Sequence, residues 1–389
     1  MTALRTNLFA VALGLSLLGN VMVYSATSRD YGTHYLIMRF AHLALGMVAF
    51  FVAKQVRYTS WRRIAPGLYF FVLASLILVL IPGIGVEVGG ARRWFDLGPF
   101  SLQPAEFAKL AVVVLLSCAI ARVRPDSSLP VWPMLAVGLL LGLVLVEPDF
   151  GTSVVIAAGA AGVLWASELR TRVLLTSGGA ALTVLVGLML LAPYRRDRFM
   201  AFLDPWSVSE GSGYQLVQSM VAIKSGSFFG AGIGAGEEVI SVPEVQTDMI
   251  FSLIGEEFGL LGMIAVIVAF SFLVLAGFRI ALYAPSVMSR CVAAGLAAML
   301  AVQTTFNMGA AMGAVPLTGI TLPFVSYGGS SAVVCFVAVG ILYRISEDGE
   351  RVREAKPLKA AIGNPRRVTG LDRRRRNGGT RDPRALRGG

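Results

Sequence analysis

Charge is scarce in this chain, and histidine and cysteine are scarcer. Of its 389 residues 15% are Asp, Glu, Lys or Arg and 56% are hydrophobic, a balance far outside that of a soluble globular domain. There are two histidines, His34 and His42, and three cysteines, Cys118, Cys291 and Cys335. No Cys/His spacing resembles a zinc site. All three cysteines fall in apolar runs, where free Cys behaves as a small hydrophobe, so no loop disulfide is available; the histidines read as packing residues. A nucleotide loop is also missing. "GAGIGAG" at 230–236 lacks GxGxxG spacing, a surrounding βαβ unit and a following Lys-Ser/Thr, which leaves a flexible backbone turn. No repeat of 20–50 residues marks a solenoid.

What the chain has is length in its apolar runs. A bilayer crossing needs about 20 mainly apolar residues, and by that criterion there are about ten spans, near 6–26, 34–54, 62–82, 104–122, 131–147, 150–167, 172–192, 247–277, 287–311 and 326–345. The expected fold class is an all-α integral membrane protein. The first run is read as a retained helix and not a signal peptide, because further spans follow at once. With an even span count, most of the 34 basic residues fall on the side of both termini, which the positive-inside rule makes cytoplasmic. Residues 1–345 form the membrane domain, and 346–389, with "RRRR" at 373–376, reads as a basic, disordered cytoplasmic arm suited to anionic lipid headgroups. Nucleic-acid binding is the weaker reading of that arm.

Two outer segments are long: 83–103, and 193–246 between spans seven and eight. Long structured loops are where function concentrates. Asp248 follows the second. It reads either as a carboxylate offsetting the dipole of the eighth span or as a hydrated general base facing a cleft. Glu256 lies about 12 Å deeper along a helix, beside Glu257. Ionisable groups in a span suggest function or a buried pair, and Arg39 and Lys109 are the candidate partners. Arg92 and Arg93 sit outside, where the positive-inside rule disfavours them, followed by Trp94 as an interfacial anchor. Pro104 suits a first helical turn, with Glu106 and Lys109 as i,i+3 neighbours. Arginines at a membrane entrance match phosphate geometry. Glu147 and Asp149 add two carboxylates, a weak signal for a divalent cation. A base, a cationic cluster and grooves between helices fit a ligand that is lipid at one end, phosphate in the middle and polar at the other.

Five stretches together, "GARRWFDLGPFSLQPAEFAKLA", "EPDFGTSVV", "GYQLVQSMVAIKSGSFFGAGIGAG", "PEVQTDMIFSLIGEEFGLLG" and "GITLPFVSYGGSS", resemble in order the signatures of the SEDS proteins, the FtsW/RodA/SpoVE family. The resemblance runs from about residue 80 to 345. It implies a peptidoglycan glycosyltransferase in the bacterial cytoplasmic membrane that polymerises lipid II on the outer face. The partner it implies is a class B penicillin-binding protein, alongside other divisome or elongasome membrane proteins. It makes Asp248 the essential carboxylate and maps the family's Arg-Trp to Arg93 and Trp94. Its Gln-Pro-Ser/Ala-Glu…Lys maps to Gln103, Pro104, Glu106 and Lys109. Asp149, Gln215 and Gln218 fall in the matching stretches, and Tyr327 and Ser330 are candidate sugar or diphosphate binders. Val245 and Gln246 stand where the family commonly has Ala-His, and Glu237 and Glu238 lie where it often has Lys.

The expected reaction has Asp248 taking the proton of the acceptor hydroxyl, with Arg93, Arg92 and Lys109, or a divalent ion such as Mg or Mn, meeting the departing diphosphate. Glu256, Glu257 and Arg39 are assigned electrostatic support. "IGEEFGLLG" and the basic tail lean toward an FtsW-like division role over a RodA-like elongation role. A lipid II flippase, a secondary transporter and a scaffold are the rival classes; the first two need a polar path or mid-membrane charges, and the last does not need Asp248.

Overall fold

The computed structural model describes residues 1–88, 90–98, 100–123, 130–172, 174–179, 183, 187 and 193–362. Six helical stretches are long and apolar enough to cross a membrane: Thr2–Arg29, His34–Gln55, Tyr58–Val79, Ile250–Leu282, Val287–Ala311 and Gly329–Ala355. They belong to α1 (Thr2–Tyr31), α2 (His34–Gln55), α3 (Trp61–Val79), α9 (Ile250–Leu282), α10 (Val287–Ala311) and α11 (Gly329–Ile362). Among the described residues three shorter apolar helices join them: α4 (Pro104–Ile120), α5 (Val131–Val146) and α6 (Phe150–Trp165). Most of the expected seventh span, 172–192, lies outside the described residues. Pro104 opens α4 at its first helical turn, as expected of a residue with no N–H to leave unpaired.

α4 runs through the interior against α3, α6 and α10. Close approach there depends on small residues. A Cβ at Gly162 would lie 2.6 Å from the Ala298 Cβ, and one at Gly295 would lie 2.6 Å from Val163 Cγ2, so α6 and α10 meet nearly backbone to backbone. Where lipid tails are as apolar as leucine, such packing supplies the helix association. Cys118, Cys291 and Cys335 are buried and free, as the apolar runs required.

Three features differ from the sequence expectation. The long segment 83–103 carries strands that were not foreseen: β1 (Val86–Val88), β2 (Ala91–Asp96) and β3 (Ser101–Leu102) form a small antiparallel sheet in the order β1-β2-β3. Glu87 pairs with Arg92 and Phe95 with Leu102. Strands this short carry too little periodicity to stand out among glycines. Second, α11 continues to Ile362, so the start of the expected disordered arm is helical; 363–389 lie outside the described residues. Third, α9 is broken at Gly259, whose φ of 64° and ψ of −162° leave the helical region.

The break explains two glutamates. The N–H groups of Leu260 and Leu261 turn to the Ser227 and Phe228 carbonyls, and the freed carbonyls of Glu256 and Glu257 accept from Ala231 and Gly232. Buried backbone must be paired, and at this depth the glycine-rich loop does it. The Glu256 carboxylate accepts from the N–H groups of Glu237 and Glu238, both at 2.9 Å. The Glu257 carboxylate accepts from Gly234 N–H at 2.9 Å and from the Ser25 hydroxyl. The expected pairing with Arg39 or Lys109 is therefore corrected. Arg39, fully buried, donates to the Phe324 carbonyl and, at 3.2 Å, to the Val325 carbonyl, and Lys109 binds Glu106. For Arg39 backbone carbonyls stand where a carboxylate was expected.

Candidate active site

The sheet, the turn between α5 and α6, the long segment ahead of α9 and the segment joining α10 to α11 enclose a cavity of about 720 Å³ at one end of the bundle. Two helices lie in the long segment, α7 (Pro193–Leu203) and α8 (Tyr214–Ser225). Arg93, Trp94, Gln103, Glu106, Asp149, Asp248, Tyr327 and Ser330 line the cavity. Sequence positions more than two hundred apart thus converge on one space, as the sequence reading required. Arg92, Lys109, Gln215 and Gln218 are not part of that lining.

Asp248 sits in a turn two residues ahead of α9, which begins at Ile250. It is not in the helix's first turn. Gln215, from α8, donates to its Oδ1 at 3.3 Å, and the Thr247 hydroxyl lies 3.5 Å away. The Asp248 backbone carbonyl accepts from Asn307 Nδ2 at 2.8 Å. Enclosure in the cavity pushes the carboxyl up to about 6, against the pull of Arg198 and helped by Glu244. A base with such a value is ionised at neutral pH yet basic enough to take a proton.

Arg198, on α7, was not singled out in the sequence. A Cβ at Gly319 would lie 3.9 Å from both Arg198 Nη1 and Asp248 Oδ2, so the cation and the carboxylate face the same wall. The signal was present: "YRRDR" at 194–198 repeats the outside clustering of arginine that drew notice at Arg92 and Arg93.

The other end of the cavity is built differently. Arg93 donates from Nε to the Glu147 carbonyl and from Nη2 to the Pro148 carbonyl, both at 2.8 Å, and its guanidinium lies 6.0 Å from the Trp94 ring. Asp149 caps α6 through Thr152 N–H at 3.0 Å and accepts from Gln103 Nε2 at 2.9 Å. Ser330 accepts from Gln103 N–H at 2.9 Å, tying α11 to α4. Arg92 pairs with Glu87 across the sheet at 2.8 Å, off the cavity. Lys109 is buried 2.6 Å from Glu106 and 3.0 Å from Gln303 Oε1, the self-contained pair that their i,i+3 spacing allows.

Of the two carboxylates expected to hold a divalent cation, Asp149 has its oxygens on Thr152 N–H and Gln103 Nε2. Among the described residues no three His, Cys, Asp or Glu side chains gather as ligands. Glu147 is fully buried with neither carboxylate oxygen hydrogen-bonded. His42 packs its ring on Tyr327 and Phe100, at 5.4 and 5.7 Å between centroids, as a packing histidine would.

Fold and cavity together define a multi-pass membrane protein with a carboxylate and an arginine facing one another in a cleft roofed by loops. The family described as cell cycle protein, FtsW/RodA/SpoVE, matches residues 5–351, and the chain belongs to that family. It is 42% identical over 372 residues to a protein of Aromatoleum aromaticum named "Probable peptidoglycan glycosyltransferase FtsW", covering 90% of this chain and 88% of that one. It is 36% identical to stage V sporulation protein E of Bacillus subtilis, covering 89% and 99%. Among solved structures it resembles a chain of a peptidoglycan synthase complex that coordinates polymerization and crosslinking, with a TM-score of 0.73 and 31% identity over 88% of this chain and 97% of that one. RodA of Thermus thermophilus follows at 0.65 and 29%, over 88% and 96%.

Proposed function

We propose that this protein polymerises glycan strands from lipid II during septal wall synthesis, with Asp248 as general base. The observation that carries this is the half-buried Asp248 carboxylate, lining the cavity opposite Arg198 with its pKa raised to about 6. In the reaction the GlcNAc 4-hydroxyl oxygen of the acceptor attacks C1 of the donor MurNAc, and the hydroxyl proton passes to Asp248. The bond from C1 to the diphosphate breaks with inversion, giving a β-1,4 linkage and undecaprenyl diphosphate. Arg198, with Arg93 at the far end, offsets the charge on the departing diphosphate. Trp94, Tyr327 and Ser330, which line the same cavity, meet the sugars, and Gln215 steadies the base.

The chain crosses the bacterial cytoplasmic membrane about ten times, with both termini inside and the cavity on the outer face, and works with a class B penicillin-binding protein. Similarity to proteins named FtsW at 42% and 39% identity, against 29% for RodA, supports division over elongation. The test is polymerisation of purified lipid II by the full chain with its class B partner. Wild type makes polymer; Asp248→Ala, folded and partner-bound, makes none. Equal polymer from both overturns the assignment of the base, and none from either overturns the polymerase.

A further inference from the structure

Asp248 is held by its backbone more firmly than by its side chain. Its carboxylate bonds are long, at 3.3 and 3.5 Å, whereas Asn307 Nδ2 donates to its carbonyl at 2.8 Å. The same nitrogen donates to the Ile320 carbonyl at 2.7 Å. Both protons of one buried amide are therefore spent on two loops that form adjacent walls of the cavity. With carbonyls on both sides, only the NH₂ end of the amide can face them, so its orientation is settled.

One turn earlier on α10, Gln303 repeats the device. Its Nε2 donates to the Thr321 carbonyl at 3.0 Å and its Oε1 accepts from Lys109 at 3.0 Å. A buried polar chain thus runs from the Glu106–Lys109 pair through Gln303 and the 320–321 backbone to Asn307 and Asp248. Both amides are almost fully buried, where an unpaired polar group is costly. An asparagine inside a helix is also disfavoured relative to alanine. Helix stability does not call for it; the loops do.

Building on the reading of Asp248 as the base, we infer that Asn307 is a positioning residue for the reaction: it clamps the Asp248 turn to the 320–321 wall and so sets where the carboxylate stands against the acceptor hydroxyl. The charged groups facing Asp248 are Arg198 from α7 and Glu244 from its own turn; α10 and α8 present the neutral amides of Asn307 and Gln215.

The experiment compares wild type, Asn307→Ala, Asn307→Ser, Ser219→Ala and Asp248→Asn as full chains with the class B partner. It measures kcat and KM on lipid II from about pH 5 to about pH 8, a range that brackets a base near 6. Loss of the clamp should lower kcat on the order of 10²-fold, the cost of displacing a reacting group by about 1 Å, and leave KM within about threefold. It should also move the acid limb of the rate to lower pH, because a loosened Asp248 gains water. Asn307→Ser, which keeps one donor, should recover part of kcat. Ser219→Ala removes a 2.8 Å bond from α8 to the Ala311 carbonyl at the end of α10, the helix that carries Asn307, and should keep the wild-type kcat and limb. Wild-type kcat and acid limb in Asn307→Ala overturn the inference. So does a loss that tracks the folded fraction while the limb stays in place. Should Asn307→Ala not fold, Asn307→Ser is read by the same two criteria. Asp248→Asn separates the premises: if it polymerises like wild type the base assignment fails, and if it is inactive while the Asn307 variants behave as wild type, only the positioning role fails.

Discussion

The two ends of the cavity use the same residue types for opposite purposes. At one end Arg93, Gln103 and Asp149 spend their polar atoms on one another's neighbourhood, in bonds of 2.8 to 2.9 Å to backbone and side chain. At the other, Asp248 keeps long side-chain bonds and a raised pKa beside Arg198. An arginine bound to two backbone carbonyls and a capped aspartate build a wall; a carboxylate with only long side-chain bonds is left able to react. Sequence patterns single out an aspartate at both ends alike, Asp149 and Asp248, and their hydrogen bonds tell the two apart.

The sharpest break in this comparison is Asp248→Asn. It removes the proposed base with little change in shape, and polymerisation should fall by about 10²–10⁴-fold with the melting temperature nearly unchanged. The wild-type pH profile sharpens the same point. The active form is the carboxylate, so the rate is full above the raised pKa of about 6 and falls about tenfold for each further unit below it. A limb near the ordinary carboxylate value of about 4 would mean that the base is hydrated and elsewhere.

Lys109→Met tests the buried wall behind the cavity. Removing one partner of a buried ion pair typically costs about 3–5 kcal/mol, so Glu106 left alone should lower the thermal stability of the detergent-solubilised protein strongly. Stability like wild type would show that Glu106 is neutral without its partner. Arg93→Ala should cost about 1–3 kcal/mol for the unpaired carbonyls of Glu147 and Pro148 and reduce polymerisation less than Arg198→Ala does. The reverse order in activity would return the diphosphate to Arg93. The smallest effect is expected from Arg92→Ala: its pair with Glu87 is at the surface, worth about 0–1 kcal/mol, and activity should hold.

Much of this arrangement was legible beforehand. Apolar run length located the spans that the described helices occupy, Pro104 marked the start of α4, and the i,i+3 spacing of Glu106 and Lys109 foretold their pair. Asp248, Arg93, Asp149 and Tyr327 were named and do line one cavity. Misses have a common physical cause. Glu256 and Glu257 were read as partners for cations, because a sequence shows charges and does not show backbone; both accept from N–H groups of a loop fitted to the break at Gly259, and Glu257 also from the Ser25 hydroxyl. Asn307 and Gln303 carry no charge and sit mid-helix in an apolar run, so no periodicity distinguished them from packing residues. Arg198 shared its signal with two neighbouring arginines and could not be singled out by spacing.

The sequence by itself determined what each segment could be. Hydrophobic length admits only membrane helices whose backbone bonds are satisfied internally, and the order of charged and glycine-rich stretches placed the chemistry in the segments between them. Tertiary structure alone decided which charges would be spent and which left available. That choice depends on distances between residues far apart in the chain: carbonyls of other segments orient Arg93 and Arg39, the Asn307 amide from α10 holds the Asp248 turn, and enclosure raises the Asp248 carboxyl.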